Sequence, residues 1–127
     1  VYIVGRSLWT NPAIYLSQIE SDRVTKLILI TPYASMANVA QWHYPLFPAR
    51  WLIKDDFDSA SLAKNLNVET LILQASDDVV IPAIHTQKLI ENFKIKPTVE
   101  LIPGTNHNTI TESPIFIEKI EEFLRKS

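Results

Sequence analysis

Four short apolar runs constrain the fold of this chain more than any other feature. They are rich in valine, isoleucine and leucine, and they are continuous rather than alternating between apolar and polar residues. Continuous runs are typical of strands that are covered on both faces, as in a parallel sheet. The four predicted strands are Val1–Val4, Leu27–Ile30, Thr70–Leu73 and Val99–Ile102.

The segments between these runs have helical patterns. One follows Ser7, and another covers Ile84–Phe93. Ser113 and Pro114 are a suitable N-cap and first-turn pair for a third. That last segment has an apolar stripe on one helix face, formed by Phe116, Ile120, Phe123 and Leu124. The alternation of strands and helices predicts an α/β fold, with a mostly parallel sheet and flanking helices.

The connection from Thr31 to Glu69 is longer than a crossover helix needs, which is about a dozen residues. It holds a cluster of aromatic and proline residues: Trp42, His43, Tyr44, Pro45, Pro48 and Trp51. We therefore expect a cap-like insertion at about residues 35–58, lying over the carboxyl ends of the strands, where ligands bind in open α/β sheets. The alternative is a longer surface connection that packs on its own aromatic residues.

Charge and cysteine content exclude several functions. The chain has 127 residues, a formal net charge of −2 and no cysteine. Its lysines and arginines form no basic stripe, so we expect no nucleic-acid partner. The lack of cysteine excludes thiolate catalysis and favours a reducing compartment such as the cytoplasm, while the compartment itself stays unknown from these residues. The apolar runs are too short for a membrane segment.

The three histidines do not have the spacing of a zinc site, so we expect no metal. We assign His43 to the cap-like insertion and His85 to the surface. The remaining histidine, His107, follows the fourth predicted strand.

Three residues with catalytic chemistry follow predicted strands. Ser7 follows the first strand, Asp78 and its neighbour Asp77 follow the third, and His107 follows the fourth. Side chains beyond the carboxyl ends of neighbouring parallel strands converge on one edge of the sheet. We therefore expect a serine, a carboxylate and a histidine to meet there.

Each of these residue types has a role in nucleophilic catalysis. A serine hydroxyl needs an adjacent base, and imidazole can accept its proton and return it to a leaving group. A carboxylate on the other ring nitrogen fixes the tautomer and stabilises the imidazolium. Ser7 alone could simply cap the following helix, and His107 alone could be a loop hydrogen-bonding residue. The three residues together favour the catalytic interpretation.

Three loops resemble those of the α/β-hydrolase superfamily, in its small esterase or serine-aminopeptidase-like branch. GRSL, residues 5–8, resembles the nucleophile elbow Gly-x-Ser-x-Gly. ASDDVVIP, residues 75–82, resembles the acid loop Gly-x-x-Asp-x-x-Val-Pro, and PGTNHN, residues 103–108, resembles the histidine loop. Aligning Pro82 with the proline of the acid loop makes Asp78, and not Asp77, the acid. The order serine, aspartate, histidine is also that of the superfamily.

The resemblance implies a serine hydrolase that cleaves an ester, thioester or amide bond through an acyl-enzyme intermediate. It implies Ser7 as nucleophile, Asp78 as acid, His107 as base and the backbone N–H of Leu8 as one oxyanion donor. The implied partner is a small-molecule acyl substrate, with no cofactor. The resemblance covers only the C-terminal portion of the family's single domain, so we expect the second oxyanion donor in a preceding part. That part, or a second copy, would pair with the free edge of the first strand.

Trp9 departs from the elbow pattern, which has a small residue there so that the helix approaches the strand closely. An indole in that space would overpack it by roughly 1–3 kcal/mol. We therefore expect an outward Trp9 ring, a displaced helix start and reduced activity.

Two other functions are alternatives to this hydrolase. The main alternative is a non-catalytic binding or scaffolding protein that keeps the hydrolase fold with an altered elbow. A nucleotide-binding domain is disfavoured, because the chain has only two glycines and no phosphate-binding loop.

Overall fold

A computed structural model describes residues 2–20, 22–33, 36–43, 45–46, 59–78, 81 and 83–125. Strands and helices alternate along this part of the chain. The strands are β1 (Tyr2–Arg6), β2 (Lys26–Ile30), β3 (Glu69–Ala75) and β4 (Thr98–Ile102). The helices are α1 (Thr10–Ile19), α2 (Met36–His43), α3 (Ser59–Ala63), α4 (Ala83–Ile90) and α5 (Pro114–Arg125). Short 3-10 turns cover Ser7–Trp9 and Ile110–Glu112.

The four strands form one parallel sheet in the order β1-β2-β3-β4. Its register pairs Arg6 with Ile30 and Ile30 with Leu73. The prediction of an α/β fold with a parallel sheet and flanking helices is therefore confirmed. Because all four strands run the same way, every loop that follows a strand begins at the same edge of the sheet.

Helices cover both faces of the central strands β2 and β3, which explains why these two strands are continuously apolar. On one face, α1, α3 and α4 pack over β2 and β3 around a buried cluster that includes Ile14, Leu27, Leu29, Leu66, Ile72 and Leu89. On the other face, α5 packs through its apolar stripe against Ile28, Leu71, Leu73 and Ile102. The Ser113 hydroxyl accepts a hydrogen bond from the Ile115 N–H at the start of α5, as expected of an N-cap.

The predicted cap-like insertion at residues 35–58 is described only in part. Helix α2 lies within it, while residues 35, 44 and 47–58 fall outside the described part of the chain. The position of the insertion over the sheet edge therefore stays a prediction. None of the described helices is long and apolar enough to cross a membrane.

The assignment of His85 to the surface is wrong. Its side chain is only 3% exposed, and its ring meets the ring of Trp42 edge-on at 5.6 Å between centroids. The helical period explains the burial, because His85 and the buried Leu89 are four residues apart on one face of α4. Contact with α2 then covers the imidazole.

Candidate active site

Ser7 occupies a strained turn between a strand and a helix. Arg6 before it is extended, with φ −120° and ψ 130°, whereas Ser7 itself has a φ of 48°. A non-glycine residue in this left-handed region costs about 1–3 kcal/mol, which the surrounding structure must sustain. Such a turn lifts the serine off the strand at the carboxyl edge of the sheet, as in a nucleophile elbow.

Gly5 allows the helix after Ser7 to approach β1 closely. A Cβ atom at Gly5 would lie 2.5 Å from the Ala13 Cβ and 2.9 Å from the Trp9 carbonyl oxygen, so no larger residue fits without a shift. The Trp9 side chain points away from this contact and is 69% exposed. The outward ring expected from the sequence is confirmed. A 3-10 turn separates Ser7 from α1, which begins only at Thr10.

Asp78 and His107 form a hydrogen bond at the same edge of the sheet. His107 Nδ1 and Asp78 Oδ2 are 3.0 Å apart, and the two side chains are only 14% and 7% exposed. The other carboxylate oxygen, Oδ1, accepts the Ile81 N–H at 2.8 Å. The neighbouring Asp77 is exposed, and its own N–H donates to the Thr105 carbonyl. Asp78 and not Asp77 therefore faces the imidazole, as the position of Pro82 in the sequence predicts.

The loop that carries His107 is held by its own turn. Asn106 Oδ1 accepts the N–H groups of Asn108 and Thr109 at 2.9 and 3.0 Å. Thr109 Oγ1 in return accepts the Asn106 N–H at 2.9 Å. This reciprocal arrangement is a capping pattern, and the spacing of Asn106 and Thr109 is a sequence signal that could have revealed it.

Arg6 connects the serine turn to the histidine loop. Its Nη2 donates a hydrogen bond of 2.8 Å to the carbonyl oxygen of His107, which is 101 residues away in sequence. The end of β1 and the histidine loop therefore meet directly. No sequence signal pointed to Arg6, because nothing in a strand residue identifies a partner so distant along the chain.

Ser7 and His107 are not joined by a hydrogen bond among the described residues. Within the described part of the chain, Ser7 Oγ forms none, while the Ser7 carbonyl accepts the Thr10 hydroxyl. In unliganded structures, catalytic hydrogen bonds are often long and tighten only when substrate binds. The structure thus pairs Asp78 with His107 and sets Ser7 at the same edge.

Leu8 is the second residue of the 3-10 turn that begins at Ser7. The first N–H groups of a helix have no partner within it, so the Leu8 N–H is available to an external acceptor.

Among the described residues, no group of three histidine, aspartate or glutamate side chains could hold a metal ion. The chemistry available at this edge is that of a hydroxyl, an imidazole and a carboxylate.

Known proteins with similar sequences are distant relatives. No protein-family model matches the sequence. Uncharacterized protein Rv2307c of Mycobacterium tuberculosis is 25% identical over 80% of this chain and 37% of its own length. Human protein ABHD12B is 28% identical over 99% of this chain and 41% of its own length. The chain therefore spans about two fifths of the curated relatives it matches.

Solved structures resemble the whole chain more closely in fold than in sequence. MGS-M2, an α/β hydrolase enzyme from a deep-sea metagenome library of the Medee basin, matches with a TM-score of 0.76. That match covers 100% of this chain and 66% of MGS-M2, at 15% identity. The parallel sheet with flanking helices agrees with this likeness. The loops that carry Ser7, Asp78 and His107 lie at one edge of that sheet. The chain has the fold of the α/β-hydrolase superfamily.

Proposed function

We propose that this chain carries the catalytic residues of a serine hydrolase, which cleaves an ester, thioester or amide bond through an acyl-enzyme intermediate. In this proposal Ser7 is the nucleophile, His107 is the general base and Asp78 is the acid. The observation that carries it is the largely buried Asp78–His107 hydrogen bond, which lies at the same sheet edge as a serine with left-handed backbone. The bond between Arg6 and the His107 carbonyl supports it, since it holds the two loops together.

The hydrogen bond to Asp78 determines which nitrogen of His107 acts as the base. Nδ1 donates to Asp78 Oδ2, which leaves Nε2 to accept the proton of the Ser7 hydroxyl. As that proton moves to Nε2, Ser7 Oγ attacks the carbonyl carbon of the substrate and the carbonyl oxygen becomes an oxyanion. The Asp78 carboxylate stabilises the imidazolium that forms.

The Leu8 N–H is the proposed donor to this oxyanion. One such donor contributes about 2.7–4 kcal/mol of transition-state stabilisation. The intermediate then collapses: the bond to the leaving group breaks, the leaving group takes the proton from Nε2, and the acyl group stays on Ser7. Water next gives a proton to Nε2 and attacks the acyl carbon. The bond from that carbon to Ser7 Oγ then breaks, Nε2 returns the proton to Oγ, and the carboxylic acid leaves.

A fluorophosphonate probe tests this function, because it forms a covalent bond with an activated serine. We expect the intact protein to be labelled at Ser7, as located by mass spectrometry of the peptide that contains it. Ser7→Ala should abolish labelling, and heat-denatured protein should not react. Clean absence of labelling in the folded, intact protein would contradict the proposal.

A non-catalytic binding protein is the second candidate function. Trp9 in place of a small residue, together with the missing hydrogen bond between Ser7 and His107, is the observation that favours it. On this reading the fold is retained while the elbow is inactive. The same labelling experiment separates the two functions, since only an enzyme would react with the probe.

A further inference from the structure

Thr31 shares an unusual backbone conformation with Ser7. Among the described residues, these are the two non-glycine positions with positive φ, at 47° and 48°. Each directly follows its strand, and the residues before them, Ile30 and Arg6, are register partners. The two left-handed residues therefore end adjacent strands at the same level of the sheet. Positive φ is a genuine outlier for a β-branched residue, and a residue before proline normally favours an extended backbone.

The Thr31 hydroxyl is buried without a partner. The residue is 2% exposed, and Oγ1 has no hydrogen bond within the described part of the chain. Neighbouring hydroxyls are engaged: Thr86 Oγ1 donates to the Pro32 carbonyl at 2.7 Å, and Ser76 Oγ accepts the Thr105 N–H at 3.4 Å. Buried polar side chains nearly always have a partner, and none of the described residues supplies one to Thr31 Oγ1.

A cavity beside Thr31 has room for that partner. Its volume is about 170 Å³, and it lies between the ends of the strands and the start of α4. Its polar lining includes Thr31, Gln74 and Asp78. A bound water needs about 10–15 Å³ of such volume and two to four polar partners. The size and the lining of this cavity meet both conditions.

We propose that Thr31 is a positioning residue for Asp78: its hydroxyl binds a water in this cavity, and the water donates a hydrogen bond to the Asp78 carboxylate. The carboxylate already accepts the Ile81 N–H on Oδ1 and faces His107 through Oδ2. A carboxylate accepts about four hydrogen bonds, so a water donor can add to the contacts that Asp78 already makes. The Thr31 N–H donates to the Leu73 carbonyl at 2.8 Å, which holds the strained residue in place.

The functional consequence is control of the carboxylate's orientation. If Asp78 rotates, the imidazole of His107 loses the partner that fixes its tautomer. The inference therefore rests on the proposed hydrolase function for its effect on catalysis. Its structural part, a water shared by Thr31 and Asp78, stands independently of that function.

The test compares Thr31→Val with Thr31→Ser in the intact protein. Valine keeps the size and the β-branch but removes the hydroxyl, and serine keeps the hydroxyl but removes the methyl group. We expect Thr31→Val to slow fluorophosphonate labelling of Ser7 by roughly 10- to 100-fold, as displacement of a catalytic group does. Thr31→Ser should label close to the wild-type rate. Thermal unfolding would verify that both variants are folded.

A second measurement follows the Asp78–His107 bond without any need for activity. The His107 Nδ1 proton gives a low-field NMR signal while it is hydrogen-bonded to Asp78. We expect faster solvent exchange of this proton in Thr31→Val and unchanged exchange in Thr31→Ser. If wild-type protein is not labelled but this pattern appears, the hydrolase function fails and the positioning role stands.

Two results would overturn the inference. One is a Thr31→Val variant whose labelling rate and proton exchange both match the wild type, which would mean that the Thr31 hydroxyl does not position Asp78. The other is equal loss in Thr31→Val and Thr31→Ser, which would assign the effect to packing of the threonine rather than to its hydroxyl. A crystal structure with no water beside Thr31 Oγ1 would also show that the hydroxyl does not position Asp78.

Discussion

At the scale of single residues, the strain at Ser7 explains how a short hydroxyl side chain reaches out of a packed sheet. A serine within β1 would point into one of the two cores, whereas the left-handed turn brings its Oγ beyond the strand end. The conformation costs about 1–3 kcal/mol of folding free energy. Close packing of Gly5 against Ala13 and the bond from Thr10 to the Ser7 carbonyl keep the turn in this state.

The two neighbouring aspartates provide the sharpest test of the acid assignment. We expect Asp78→Asn to lower kcat on a simple ester by about 10⁴-fold, because an asparagine stabilises the wrong imidazole tautomer. Asp77→Asn is the matched control and should stay near wild type, since Asp77 is exposed and faces no catalytic group. Steady-state kinetics on the intact protein measures both. Equal losses in the two variants would remove Asp78 from its proposed role.

Trp9 is the residue at which this turn departs from the elbow pattern Gly-x-Ser-x-Gly. Because its ring lies outward, the chain avoids overpacking, and it does so with a 3-10 turn before α1. We expect Trp9→Gly to raise turnover of an aryl ester. A small residue lets the helix begin at the serine, which shortens the hydrogen bond from the proposed oxyanion donor, the Leu8 N–H. Trp9→Phe, which keeps a large ring, is the control, and its turnover should not rise above that of the wild type. No activity in any of the three proteins would favour the non-catalytic reading.

At the scale of elements, the contact between β1 and α1 depends on the absence of one side chain. We expect Gly5→Ala to lower the free energy of unfolding by about 1–3 kcal/mol, because its Cβ would collide with the Ala13 Cβ. Chemical denaturation measures the change. Labelling of Ser7 should fall in parallel, since the same contact supports the turn.

A second substitution makes the origin of that loss visible. In the Gly5→Ala background, Ala13→Gly removes the opposing methyl group and should recover part of the stability. Recovery stays incomplete because the Trp9 carbonyl is also close to the new Cβ, and because glycine within a helix costs about 1 kcal/mol. A double-mutant cycle with no coupling between the two positions would contradict direct contact.

The packing of α4 on α2 predicts a dependence of stability on pH. Burial, and then the nearby positive charges of Lys88 and His43, lower the pKa of His85 below its usual value of 6.5. Below about pH 6.5 His85 therefore binds a proton in the unfolded chain but not in the folded protein. The free energy of unfolding decreases as the pH falls. That loss continues until the pH reaches the lowered pKa of the folded state.

His85→Phe should flatten this acid-side loss, because phenylalanine keeps an aromatic ring against Trp42 and cannot be protonated. Denaturation curves between pH 7 and pH 5 would measure it. His43→Gln is the control, since His43 is exposed, and should keep most of the loss. An unchanged slope in His85→Phe would show that another group is responsible.

The sequence predicted the strands and helices, and Asp78 as the partner of His107, more fully than it predicted their surroundings. The central strands were predictable because burial on both faces leaves unbroken apolar runs, although β3 extends to Ala75 through pairing with Ile102 of β4. Asp78 was predictable from the position of Pro82. The burial of His85 was not, because it depends on Trp42 in a distant helix. The left-handed backbone at Thr31 was also hidden, since threonine before proline favours an extended conformation.

At the scale of the whole molecule, β1 forms one edge of the described sheet. Tyr2 and Val4 on this strand are 53% and 49% exposed. Exposed apolar edge strands pair readily with other chains. We expect residues 1–127, expressed alone, to self-associate and to lack esterase activity, as measured by light scattering and an ester assay. A monomeric, cooperatively unfolding and esterolytic product would contradict this.

Val4→Lys is the matched variant for that experiment. A charged side chain on an edge strand opposes association of strands, so this variant should be less associated than the unmodified chain. It should not gain activity, since its effect lies in the association of β1 rather than in the oxyanion donors. If association persists unchanged, the contact involves another surface.

The register of the sheet makes the proposed site a reporter of correct strand pairing. Ser7 follows β1 and His107 follows β4, so their separation depends on Arg6 standing opposite Ile30, Ile30 opposite Leu73 and Ala75 opposite Ile102. A slip of β1 by two residues would keep every side chain on its own face but move Ser7 by about 7 Å. Such a misfolded species would retain the circular dichroism of a native α/β protein, yet a serine-directed probe would not label its Ser7. In refolding studies, the gap between the spectroscopic yield and the labelled fraction would measure misregistered molecules.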